Sequence, residues 1–138
     1  MPTVFAAVRH ATGVVAVASV AQALTTIAVL VVCALVWRRT SNPATRALAL
    51  MAGIPLVGPY AYDYDTCALI VPILYLVREA WRSGEVAGRD VGLVLMLWVT
   101  PLALWVVSTV LDQQIGPLLL GAALVASVRR SVRGPTAS

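Results

Sequence analysis

The feature that most constrains this chain is the run from Val14 to Trp37. It holds 24 residues and no charge. A bilayer core is crossed by about 20 apolar residues of helix, so the run predicts a transmembrane helix. A cleavable secretory leader is the competing reading, with Arg9 and His10 as its basic start and Ala21-Gln22-Ala23 as a small-residue cleavage site. The apolar run continues to Val36, well past that site, and a span is preferred.

The rest of the 138 residues shows the same pattern. The chain is 60 % hydrophobic and 12 % charged, too apolar for an ordinary soluble domain of this length. "RRTSNP" (Arg38 to Pro43) stops the first run and starts a helix, with Asn42 as its cap and Pro43 in its first turn. Ala44 to Val57 reads as a short helix closed by Pro55, Gly58 and Pro59. A third helix is expected from Thr66 to Trp81, with Asp65 as its N-cap. Arg82 to Asp90 reads as a polar loop. Val91 to Leu111 reads as a span kinked at Pro101. "DQQ" (Asp112 to Gln114) reads as a brief exit from the membrane, Gly116 to Val128 as a last, short span, and residues 134–138 as a disordered tail.

The expected fold is therefore all-α: one polytopic membrane domain over residues 1–138 with about five transmembrane helices. The second and third are short enough to form a re-entrant hairpin instead. Threaded through five spans, nine arginines (Arg38, Arg39, Arg46, Arg78, Arg82, Arg89, Arg129, Arg130 and Arg133) fall on one side and Arg9 on the other. The positive-inside rule makes the nine-arginine face cytoplasmic. The N-terminus and residues 58–65 are then on the outer face of a plasma membrane. A re-entrant hairpin gives the same sorting. This placement also argues against nucleic acid as the partner of the basic residues and makes membrane lipids the expected one. Ser19 with Ala23, and Ala122 with Ala126, are candidate small-residue helix contacts. Cys33 and Cys67 are expected as free thiols near opposite faces.

Two acids two residues apart, each directly after a tyrosine, stand out in so apolar a chain: "GPYAYDYDTC", Gly58 to Cys67. Ionisable groups next to hydrocarbon are costly and tend to face a cavity or a partner. Tyr60, Tyr62, Asp63, Tyr64 and Asp65 offer ring faces for stacking and carboxylates for hydroxyl groups, as a sugar requires. The same residues also fit an interfacial aromatic belt and a helix cap. Chemistry leaves the two readings equal. Arg9 could grip a phosphate through its guanidinium or simply be solvated at the interface. Arg78, Glu79 and Arg82 read as a cytoplasmic helix-end cluster, with Glu79 and Arg82 three apart. The chain has no metal-ligand motif, no glycine-rich phosphate loop and no supported nucleophile–histidine–acid set, so no catalytic residue, cofactor or metal is assigned.

"PYAYDYD", with Pro59, Tyr60, Asp63, Tyr64 and Asp65 in a P-Y-x-x-D-Y-D pattern, resembles the C-terminal part of glycosyltransferase family 87. Val71-Pro72-Ile73 and "LVREAWRSG" (Leu76 to Gly84) resemble the helix and short loop that come next in those proteins. "PTVFAAVR" (Pro2 to Arg9) resembles the stretch before an earlier helix in the same proteins. These are GT-C class, polyprenol-phosphate-dependent membrane enzymes, typically α-mannosyltransferases. The resemblance implies hexosyl transfer from a polyprenol-phosphate sugar to a hydroxyl acceptor at the outer face, with the Tyr/Asp stretch and Arg9 at the substrate cavity. Family members are much longer and carry the catalytic acid in an early outer loop that has no counterpart here. The resemblance therefore implies a fragment, inactive alone, whose partner is the N-terminal part of such an enzyme. The alternative is a small non-enzymatic polytopic membrane protein, an assembly subunit or a transporter fragment.

Overall fold

A computed structural model describes residues 3–58, 63–84, 88–110 and 115–133, apart from the side chains of residues 63–65, 89, 108 and 133. Among the described residues the fold is all-helical: α1 (Val4–Thr12), α2 (Val15–Arg39), α3 (Pro43–Val57), a 3-10 helix (Asp63–Leu69), α4 (Ile70–Ser83), α5 (Gly88–Val110) and α6 (Gly116–Arg133). "DQQ" (112–114) and the 134–138 tail lie outside the described residues.

The sequence expectation missed α1. It starts at a Thr3 cap, where Oγ1 accepts from the Ala6 N–H, and ends at Gly13. Gly13 has φ of 70°, a left-handed conformation that glycine adopts without a Cβ clash. The chain then folds back, so that α1 lies along the first turns of α2 as a helical hairpin. A hydrogen bond from the Phe5 N–H to Gln22 Oε1, 3.0 Å, fixes the pair.

α3 lies at the centre, packed against α2, α4 and α6. It begins as its sequence predicts: Asn42 Oδ1 accepts from the Thr45 N–H, and Pro43 takes the first turn, where its missing N–H is not needed. Its inward side is small where it meets α2. A Cβ built at Gly53 would lie 2.8 Å from Val29 Cγ1, and the Cys33 thiol reaches the Ala49 carbonyl at 3.6 Å. Ala49 and Gly53, four apart, are thus the small-residue contact. The expected pairs are not: Ser19, Ala23 and Ala122 are exposed. The core joins Leu48, Leu56, Leu69, Leu76, Leu97 and Leu120 across four helices and the 3-10 segment.

Two stretches are long and apolar enough to cross a membrane: Val15–Arg39, with mean hydropathy 2.3, and Asp90–Val107 in α5, with 2.0. Their apolar side chains face outward, Val20, Leu24, Ile27 and Leu30 on α2 and Leu95, Trp98, Leu102 and Trp105 on α5. α5 continues through Pro101, and α6 extends to Arg133, beyond the expected Val128. α3 and α4, with 15 and 14 residues, are shorter than a usual span. The expected Asp65 cap is corrected: Asp65 lies inside the 3-10 helix, and α4 begins after Leu69.

Candidate functional site at the apex between α3 and α4

The arginine-bearing ends of five helices gather at one end of the bundle. Arg130 on α6 binds Glu79 of α4 at 2.9 Å and also Asp90 of α5, and Glu79 accepts from Asn42 Nδ2 at 2.7 Å. This corrects the expected cluster of Arg78, Glu79 and Arg82: the partner of Glu79 comes from another helix, and Arg78 and Arg82 are exposed. Arg46 closes the α2–α3 turn. Its Nε and Nη2 donate to the Thr40 and Trp37 carbonyls, at 2.7 and 3.0 Å, and its guanidinium stacks 5.0 Å from the Trp37 ring. It thereby supplies donors to carbonyls that the end of α2 leaves unpaired.

The opposite end has no such charges among the described side chains except on α1. One neutral amide organises it. Gln22 is 6 % exposed. Its Nε2 donates to the Leu56 and Val57 carbonyls at 2.7 and 3.1 Å, and Thr26 Oγ1 donates to Val57 at 3.0 Å. These are orphan carbonyls of the last turn of α3. With Oε1 taken by the Phe5 N–H, one side chain ties α1, α2 and α3 together at the point where the chain leaves α3 for Gly58.

The Gln22 contacts also set a relative height. α2 continues from Gln22 to Val15, about 10 Å at 1.5 Å per residue, with α1 alongside. Measured from the Arg130 cluster, α5 rises about 30 Å from Asp90 to Val110, whereas α6 rises about 21 Å to Gly116. By length along their own axes, α6 is thus about 10 Å shorter than α5 above the Arg130 cluster, and α2 runs about 10 Å beyond its Gln22 tie to α3. α3 ends beside this tie, at Val57, and the chain continues into Gly58.

Of the sequence candidates, Tyr60 and Tyr62 lie outside the described residues. Asp63, Tyr64 and Asp65 form the start of the 3-10 helix in backbone, and their side chains are not among those described. The next residues are described: Thr66 is buried, and Cys67 is an exposed free thiol. Arg9 is exposed in the last turn of α1, on the projecting hairpin. Sequence reasoning passed over Gln22 except as part of a cleavage motif. The signal that could have found it was a lone amide within an uncharged run, which must find partners once dehydrated. No group of three metal-binding side chains occurs among the described residues. No protein-family model, curated protein or solved structure matches the chain.

Proposed function

We propose that this chain is a polytopic membrane domain of a GT-C-like glycosyltransferase. In this reading α2 to α6 cross a plasma membrane with the arginine end cytoplasmic. The sunken apex opens to the outer leaflet, where a polyprenol-phosphate sugar presents its hexosyl group. Tyr60, Tyr62, Asp63, Tyr64 and Asp65 bind the sugar, and Arg9 on the neighbouring hairpin binds the phosphate. In the reaction an acceptor hydroxyl attacks the anomeric carbon, the bond from that carbon to the phosphate oxygen breaks, and polyprenol phosphate leaves. The hydroxyl proton passes to a carboxylate general base. The observation that supports the reading is that α3 ends at Val57, tied through Gln22 to the α1–α2 hairpin, and the 3-10 helix opens at Asp63, so the P-Y-x-x-D-Y-D sequence joins these two ends.

A second reading, a non-enzymatic membrane subunit, draws on a specific observation. Glu79 and Asp90, the described carboxylates, are both engaged by Arg130 at the opposite end. One experiment separates the two. The full chain in proteoliposomes is exposed to a photoreactive polyprenol-phosphate mannose. The enzyme reading predicts labelling within residues 58–69, competed by the unlabelled donor. Replacing Asp63→Asn and Asp65→Asn together should reduce it about tenfold, the scale of lost charge-assisted hydrogen bonds. Labelling equal to that by sugar-free polyprenol phosphate would favour the subunit.

A further inference from the structure

One face of α4 changes character along its length. Ile70, Leu74 and Val77 are exposed and apolar, and the next turns bring Arg78, Trp81 and Arg82 to the surface. Residues 70, 74, 77/78, 81 and 82 keep the three-and-four spacing of a single helix face. From Ile70 to Arg82 the strip is about 18 Å long. Trp81 is 85 % exposed, too open to serve the core of this chain. Neither Arg78 nor Arg82 has a carboxylate partner among the described residues. Glu79, the acid between them in sequence, turns the other way to Arg130 and Asn42.

We propose that this strip is a binding surface for anionic phospholipid in the leaflet at the arginine end. Acyl chains lie along Ile70, Leu74 and Val77. The Trp81 ring sits at the headgroup boundary, where an amphipathic ring is favoured. Arg78 and Arg82 hold the headgroup phosphate with charge-assisted hydrogen bonds. The length of the strip matches about one leaflet, half of a ~30 Å core plus the start of the headgroup region. The proposal rests on the membrane reading and is independent of any sugar chemistry.

The test uses the full chain in bilayers, with Trp37, Trp98 and Trp105 replaced by Phe so that Trp81 is the single emitter. Brominated phosphatidylglycerol and brominated phosphatidylcholine compete as quenchers in mixed bilayers. The expected result is about a fivefold preference for the anionic lipid, in line with the attraction of a basic residue to an anionic surface. Arg78→Gln with Arg82→Gln should bring the ratio close to one, and the double Lys variant should keep much of it. Equal quenching by both lipids in the parent would overturn the headgroup preference while leaving the membrane reading intact. Quenching by neither lipid would overturn both.

Discussion

At the arginine end, α3, α4, α5 and α6 meet through a cluster centred on Arg130. At the other end, α1, α2 and α3 meet through the amide of Gln22. The side chains of the first cluster keep partial contact with solvent, with Arg130 21 % and Glu79 39 % exposed. Charges are tolerable there, and their net contribution is modest because water competes for them. Gln22 is buried, and without it the Phe5 N–H and the Leu56 carbonyl would be left dehydrated, while Val57 would keep Thr26. Formal charge is therefore a poor guide to which end is held more tightly. A neutral group that satisfies three backbone atoms, two of them through buried bonds, should outweigh an ion cluster at the edge of the bundle.

Substitutions at the two ends put this ranking at risk. Gln22→Leu should have the largest effect, about 3 kcal/mol, because it orphans the Phe5 N–H and the Leu56 carbonyl and weakens the hold on Val57. Denaturant titration of the full chain in micelles would show it, and little loss would remove Gln22 as the tie between α1, α2 and α3. Gly53→Ala should cost about 2 kcal/mol, since the new methyl presses on Val29 and the α2–α3 seam must open. This control acts between the ends and should lower the midpoint whatever the salt concentration. Arg130→Gln should cost about 1–2 kcal/mol, because it leaves two carboxylates near each other without their cation. Its effect should shrink as salt rises, whereas that of Gln22→Leu should not. Asn42→Ala should be smallest, about 1 kcal/mol, from the lost cap of α3.

What can be read from the sequence divides along similar lines. The start of α3 is legible because its signal is local: Asn42 caps and Pro43 comes next. The all-helical class and the long α2 are legible from charge-free length. α1 is hidden because nine residues beginning Val-Phe have little helical signal alone, and the helix depends on packing against α2. The Ala49–Gly53 contact escapes because many small-residue pairs compete in an alanine-rich chain, and only the packed structure selects one. Spacing favours Arg82 as the partner of Glu79, yet Arg130 lies 51 residues away and takes that place. That choice depends on how α6 packs, which periodicity does not encode. At the candidate site, the position of the Tyr/Asp stretch between α3 and α4 is legible. The 3-10 start and the ending of α3 against Gln22 of α2 are not, because both depend on contacts distant in sequence, the bonds to Gln22 among them.

The proposed membrane reading puts the 3-10 helix between α3 and α4 about 10 Å deeper than the tip of the α1–α2 hairpin. Cys67, exposed on the 3-10 helix, allows a direct measurement. With Cys33→Ala removing the other thiol, a nitroxide is attached at Cys67, or at Thr12→Cys in a Cys33→Ala, Cys67→Ala background. Power saturation with oxygen and a water-soluble nickel complex then gives each label's depth in proteoliposomes. The Thr12 label should sit at the bilayer surface and the Cys67 label about 10 Å deeper, the offset set by the helix lengths. Equal depths for the two labels would contradict the claim.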